Sequence, residues 1–299
     1  MSFSSDTKSE LCGIKYDRKC CALAECYGVL LYCNTFSPRE IRIITASESF
    51  AQRLPKLFKK AFGFGFDKLP APGGSGKKSL IINDSEKIRK IYDSYGAEYE
   101  NTLSHHLNFG VLEEDCCRIS FVRGAFLAGG SVTDPEKRFH LELATGHHSV
   151  SRELYSLLLE LGFEPKETQR GGNSLLYFKK SVEIERLLAT IGATNASMEV
   201  ATAVIEKEMR NSVTRQINCD SANTDKTVAA SQAQIDAIHA YARAYGLESL
   251  PEVLYDAALL RITNPEASLS DLARLSMPPV SKSCLSHRLK KIISLAPKE

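Results

Sequence analysis

The sequence has no apolar run approaching the roughly 18 residues that a membrane-spanning helix needs, so no membrane partner is expected. Its opening, Met1-Ser-Phe-Ser-Ser-Asp, has neither a basic start nor an apolar stretch. No secretory leader is expected there, and the protein reads as cytoplasmic. Net charge is nearly absent: 38 Lys+Arg stand against 36 Asp+Glu, a balance of +2. Taken over the whole chain, that balance gives no sign of a polyanionic partner. None of the 9 cysteines forms a CxxC pair, and no histidine pair sits at a matching distance. Spacing therefore speaks against zinc, and no metal or cofactor is expected. Cys20, Cys26 and Cys33 recur at helical spacing in an apolar run and read as small buried residues in a reducing compartment. What remains is an ordinary globular composition, 43% hydrophobic and 25% charged over 299 residues, which excludes disorder and leaves room for about two domains.

Laid on itself, the chain repeats. Cys20-Cys21 recurs as Cys116-Cys117, Gly28 meets Gly124, Leu31 meets Leu127, and Gly96-Ala97 meets Gly192-Ala193, all at one offset. Between these anchors Phe50, Leu54, Leu57, Phe58 and Ala61 mark one buried helical face. Val150, Leu154, Leu157, Leu158 and Leu161 mark its counterpart. Both helices run into Gly-Phe (Gly63-Phe64, Gly162-Phe163), which predicts glycine C-caps, and Pro55 predicts a kink or a late start in the first. The offset widens by about four residues near Asp134 and closes again at the longer loop around Leu69-Pro-Ala-Pro. Ile41-Arg-Ile-Ile-Thr, Ser79-Leu-Ile-Ile, Phe139-His-Leu-Glu-Leu and Ser174-Leu-Leu-Tyr-Phe read as strands. Each copy is thus helix, strand, helix, strand, strand, helix, the weakest strand following the Gly-Phe. Such a unit is too long for a solenoid repeat and reads as a duplicated α/β half-domain with pseudo-twofold symmetry.

Gly73-Gly-Ser-Gly-Lys-Lys-Ser79 imitates a phosphate loop, but it lacks the adjacent Gly-Lys-Ser/Thr and leads into a strand instead of a helix N-terminus. Its counterpart, Gln169-Arg-Gly-Gly-Asn, is a hairpin turn. The first helix of each copy carries more. Val122-Arg-Gly-Ala-Phe-Leu-Ala-Gly-Gly130, with its partner Cys26-Tyr-Gly-Val-Leu-Leu-Tyr-Cys-Asn34, resembles the signature helices of LAGLIDADG homing endonucleases. The resemblance implies two helices packed side by side, with Gly28 and Gly124 letting their backbones approach. It also implies an acidic metal ligand at each helix end. Cys33 and Gly129 stand there, and neither suits a hard cation such as magnesium.

Beyond Glu208 the character changes. Residues 210–228 are polar without apolar periodicity and read as a linker. Helical patterning follows from Ala229 to Tyr245, ended by Gly246, and again from Leu250-Pro-Glu to Ile262. Ser268 to Leu275, the break Ser276-Met-Pro-Pro279, and Val280 to Ile292 then form a helix-turn-helix pattern. Leu285, Leu289 and Ile292 make its buried stripe. Ser281, Lys282, Ser283, Ser286, His287, Lys290 and Lys291 are expected to face outward, the hydroxyls and Lys282 toward base edges. Arg288, Lys290 and Lys291 are placed to meet phosphates. From Leu272 through Lys298 there are six basic residues and no acidic ones, so everything else carries −4. The near-neutral total is an average over two unlike parts.

A degenerate LAGLIDADG scaffold followed by a helix-turn-helix resembles the WhiA family of bacterial regulators. The likeness is most specific in Phe121 to Val132, Arg215 to Lys226 and Pro278 to Ile292. The fold expected is α+β: two LAGLIDADG-like halves, 1–112 and 113–209, a linker over 210–228 and an all-α helix-turn-helix domain over 229–299. The resemblance implies a non-catalytic, nucleoid-associated, sequence-specific regulator of Gram-positive bacteria, acting on double-stranded promoter DNA in cell division, chromosome segregation and sporulation. Two other readings stay open. One is a residual magnesium-dependent homing-type endonuclease using acids outside the motif, such as Asp134 or Glu142. The other makes the first domain a platform for a second transcription regulator or RNA polymerase. Arg42, His140, Lys179 and Lys180 are the sheet residues that a DNA-contacting scaffold would present.

Overall fold

The computed structural model describes residues 2–16, 18–71, 76–97, 99 and 104–297. They fall into two units, Met1–Lys207 and Glu208–Glu299. In the first, α1 (Phe3–Cys12) precedes two copies of one arrangement. The first copy comprises α2 (Lys19–Tyr32), β1 (Thr35–Phe36), β2 (Ile41–Thr45), α3 (Glu48–Phe62), β3 (Lys78–Ile82) and α4 (Ser85–Ser94). The second comprises α5 (Asp115–Gly129), β4 (Gly130–Val132), β5 (Leu141–Thr145), α6 (His148–Glu160), β6 (Lys166–Arg170), β7 (Asn173–Phe178) and α7 (Ser181–Ile191). The equivalent elements follow the drifting offset read from the sequence. Residues 19 and 115 open the first helix, 41 and 141 the central strand, and 85 and 181 the last helix.

The strands form two antiparallel sheets, ordered β1-β2-β3 and β4-β5-β7-β6. Each turns one face to a shared core. Ile41 and Ile43 of β2 are buried while Arg42 and Ile44 are exposed, as alternation along a half-covered strand requires. Two short strands, β1 and β4, went unforeseen because two or three residues after a helix carry no readable period. In the first copy, the strand expected after Gly63-Phe64 is reduced to a single bridge, Lys68 to Ile81. The glycine-rich stretch 73–79 lies partly outside the described residues and runs into β3. Its counterpart is a two-residue hairpin with Gly171 at φ 58° and Gly172 at φ 80°, the conformation that the strand twist favours.

Helix α3 neither starts late nor breaks at Pro55. It begins at Glu48, after Ser47 whose hydroxyl accepts from Phe50 N–H at 3.3 Å. One ladder bond is lost at the proline, but Phe50, Leu54, Leu57, Phe58 and Ala61 are all buried and hold the helix through it. Gly63 closes it at φ 84°.

The stretch expected to be an irregular linker is helical. Residues 210–228 lie inside α8 (Thr194–Tyr245), and every side chain from Glu208 through Ala230 is exposed. The missing apolar periodicity is explained by that exposure. A helix anchored at both ends propagates through polar residues at little cost, because nucleation has already occurred. Threonines 214, 224 and 227 return their hydroxyls to the carbonyl four residues back.

The second unit gathers the end of α8, then α9 (Glu252–Thr263), α10 (Leu269–Leu275) and α11 (Lys282–Leu295) around Ile238, Ala258, Leu272, Leu285, Leu289 and Ile292. Gly246 ends α8 at φ 75°, and Pro251 stands at the N-cap of α9. Arg261 lies inside this small core, 1% exposed, and donates to Ala267 O at 2.7 Å and Ser231 Oγ at 3.2 Å. A guanidinium there ties α8 to the loop before α10.

Candidate nucleic-acid interface

Helices α10 and α11 form the expected helix-turn-helix. Ser268 caps α10, accepting from Asp271 N–H at 3.2 Å and donating to Asp271 Oδ2 at 2.6 Å. Val280 N–H reaches back to Ala273 O at 3.0 Å and closes the turn, and Ala273 is buried where the helices approach. Leu285, Leu289 and Ile292 point into the core as their spacing required. Lys282, Ser283, His287, Lys290 and Lys291 are exposed, so four exposed groups able to carry positive charge stand on one helix without an acidic residue. Lys298 lies outside the described residues.

Three positions differ from expectation. Ser281 is the N-cap of α11: its oxygen accepts from Cys284 N–H at 3.2 Å and lies 3.0 Å from Ser283 Oγ. Ser286 is half-buried. Arg288 is also half-buried and lines a groove between α9 and the turn with Asp256, Leu260 and Met277. Ser281 is exposed, as expected, with its hydroxyl engaged as the cap; Ser286 and Arg288 sit against their own domain because a helix leaning on a small core leaves only a narrow stripe fully free. Removing the cap with Ser281→Ala is expected to destabilise the second unit by about 1 kcal/mol, measured by denaturant unfolding.

In the first unit α2 lies along α5, and the glycines act as expected. A Cβ on Gly28 would fall 2.1 Å from Phe121 O, and one on Gly124 would fall 2.1 Å from Glu25 O. At the helix ends, the Cys33 thiol donates to Leu30 O at 3.1 Å and Thr35 O at 3.2 Å, and burial pushes it up to about 12. A protonated thiol spent on carbonyls is no ligand for magnesium. At Gly129 a Cβ would lie 2.4 Å from Ala144 O, so backbone occupies the space a carboxylate stem would need.

The other acids are committed elsewhere. Asp134 Oδ1 accepts from Glu136 N–H at 2.9 Å in its own turn. Glu142 meets Arg170 at 3.2 Å and His140 at 3.2 Å on the open sheet face. Burial opposes its ionisation, but the His140 hydrogen bond and the Arg170 charge outweigh that and hold the carboxyl below its ordinary range. Three of the four sheet residues are likewise engaged, His140 with Glu142 as above. Arg42 pairs with Glu40 at 2.8 Å and Lys179 sits 5.2 Å from the centre of the Tyr177 ring, whereas Lys180, the N-cap of α7, makes no side-chain cap bond and is exposed. This face therefore mixes signs, unlike α11. Among the described residues, no helix is long and apolar enough to cross a membrane.

Sequence reading missed the buried charges that join the helix pair to its surroundings. Glu25, fully buried on α2, receives Arg53 Nε at 2.6 Å and Nη2 at 2.9 Å, with Arg123 Nη1 at 3.4 Å. Arg53 also donates to Cys12 O at 3.0 Å and Ile14 O at 2.6 Å, and Arg123 to Ile191 O at 2.7 Å. The only signal was a glutamate inside an apolar helix.

Comparison with known proteins agrees with both units. The family described as "WhiA LAGLIDADG-like domain" matches residues 118–210, and that described as "WhiA C-terminal HTH domain" matches residues 213–296. The chain is 36% identical to the "Probable cell division protein WhiA" of Ruminiclostridium cellulolyticum, covering 99% of this chain and 97% of that protein. It is 33% identical to the protein of the same name from Alkaliphilus metalliredigens, covering 100% and 98%. Among solved structures, full-length WhiA from Thermatoga maritima superposes over 100% of both chains with a TM-score of 0.62 at 24% identity, a likeness of fold. With identity above three tenths over essentially the whole length, a LAGLIDADG-like unit and a helix-turn-helix, the chain belongs to the WhiA family.

Proposed function

We propose that this protein is a non-catalytic, sequence-specific regulator that binds double-stranded promoter DNA through α11. The observation carrying this reading is a capped helix that exposes Lys282, His287, Lys290 and Lys291 and has no acidic residue. Residues 1–112 and 113–209 are the halves of the scaffold, 210–228 connects them onward, and 229–299 holds the DNA. Lys282, Ser283, Ser286 and His287 lie at the start of the helix, where base edges are read, with Ser281 setting the first turn. Arg288, Lys290 and Lys291 supply phosphate contacts, Arg288 after swinging from its groove. The relatives' name, "Probable cell division protein WhiA", supports cell division as the regulated process, and the family likeness extends the proposal to chromosome segregation and sporulation. The occupants of positions 33 and 129 support a scaffold without nuclease chemistry.

The test is binding of the full-length protein to promoter fragments, titrated at several salt concentrations. Lys290→Ala is expected to weaken binding similarly across sequences and to lower the salt slope by about 1, as the loss of a phosphate contact does. Lys282→Ala is expected to cost roughly tenfold or more on the preferred fragment and less on unrelated DNA. Unchanged affinity and salt slope in both variants would show that α11 does not carry the DNA. Cleavage of plasmid in magnesium, abolished by Asp134→Ala, would restore the nuclease reading.

A further inference from the structure

Four cysteines the DNA-binding reading leaves unused stand together at one end of the helix pair. Cys20 and Cys21 are the second and third residues of α2; Cys116 and Cys117 hold the same places in α5. The two pairs are 96 residues apart in sequence, yet all four sulfurs lie within 4.8 Å of one another. The pairing crosses the pseudo-twofold axis, Cys21 meeting Cys116 and Cys20 meeting Cys117. Cys117 is buried, Cys21 and Cys116 are half-buried and Cys20 is exposed, so the group is open to an ion on one side.

We propose that these thiols form a tetrathiolate site for one zinc ion that clasps the two halves of the first unit. Four sulfurs about 2.3 Å from a tetrahedral zinc lie about 3.8 Å from each other, so closing the observed group needs only small side-chain adjustments. A four-iron cluster sets each thiolate on a different iron and needs a wider frame. Thiolate donors select soft ions over magnesium or calcium. Binding displaces the thiol protons to solvent and leaves a complex of charge −2, which the surroundings favour. The four cysteines lie in the first turns of two helices, neither carrying a side-chain cap, where the helix dipole favours negative charge. Arg18 Nη1 stands 4.0 Å from Cys116 Sγ, while Asp115, the adjacent carboxylate, is turned toward Arg118 at 3.9 Å. No single segment carries a zinc spacing, which is why the sequence argued against metal. Duplication supplies two ligands per copy, and only the packed helix pair makes four.

The experiment is metal analysis of the full-length protein, purified under reducing conditions without a histidine tag, followed by titration of the stripped protein with cobalt. About one zinc per chain and the visible spectrum of tetrahedral cobalt thiolate are expected. Cys20→Ser, at the exposed position, and Cys116→Ser are each expected to lose most of the zinc and to alter the cobalt spectrum. Cys219→Ser, exposed on α8, is expected to keep both. The cobalt spectrum of the unaltered chain decides the matter even where a serine variant fails to fold. The proposal is overturned by failure of the reduced chain to bind either ion. It is equally overturned by full zinc retention in both folded variants, by an iron–sulfur absorption spectrum, or by cysteines that pair as disulfides and take up no metal after reduction.

Discussion

Glu25→Ala is expected to cost the first unit about 3–5 kcal/mol, the penalty of leaving a buried cation without its partner. Among the described residues, Glu25 is the single buried carboxylate facing Arg53 and Arg123, and both arginines are nearly covered, their side chains 4% and 11% exposed. In water either guanidinium would be solvated; here each relies on Glu25 and on backbone carbonyls. Urea unfolding of the full-length chain, followed by a probe in the first unit, measures the loss. A second variant separates charge from packing. Glu25→Leu combined with Arg53→Met removes both charges while keeping volume, and is expected to recover part of the loss. Recovery stays partial because Cys12 O and Ile14 O lose their donor and Arg123 loses its carboxylate. A single variant as stable as the unaltered chain would show that the charges are not buried together.

Gly124→Ala is expected to be nearly as damaging, about 3 kcal/mol or more, at or beyond the upper end of ordinary overpacking. The added carbon would meet Glu25 O at 2.1 Å, Glu25 C at 2.9 Å and Val29 N at 3.1 Å. All three are backbone atoms of the opposite helix, so no rotamer change relieves the overlap, and the helices must separate. A fall of the melting temperature by roughly 6–12 °C is expected for a unit of this size. Gly65→Ala provides the control: no atom lies within 4 Å of its added carbon and its φ is not positive. A change within about 1 kcal/mol is expected there, with stabilisation the favoured sign. Equal effects at the two glycines would mean that α2 and α5 do not touch through Gly28 and Gly124.

Much of the architecture was readable because its signals are local. The face of Val150, Leu154, Leu157 and Leu158 returns every three or four residues, and all four side chains are buried. The glycine pair Gly63 and Gly162 sits where left-handed backbone is required, at φ 84° and 80°. In the last helix, Leu285, Leu289 and Ile292 announced both the buried side and, by exclusion, the exposed basic side. Where reading failed, the deciding partner was distant or the determinant was not a side-chain period. Residues 210–228 have no buried face, so pattern could not reveal a helix continued from its ends. Strands β1 and β4, two and three residues long, are too short to stand out as a period in the sequence. Ser281 looked like a free hydroxyl, and only the position of the helix start makes it a cap.

By itself the sequence determined the duplication, the type of most long elements apart from the middle of α8, the helix-turn-helix with the apolar-to-basic contrast of α11, and the cysteine and glycine that stand where a nuclease needs acids. Those properties belong to single segments, and 3.6-residue and two-residue periods record them within a few turns. Tertiary structure alone decided which segments meet. It placed Glu25 between arginines 28 and 98 residues away, and it brought Cys20 and Cys21 to Cys116 and Cys117. Buried charge and shared ligands depend on through-space distances of a few ångströms, and no local period encodes those.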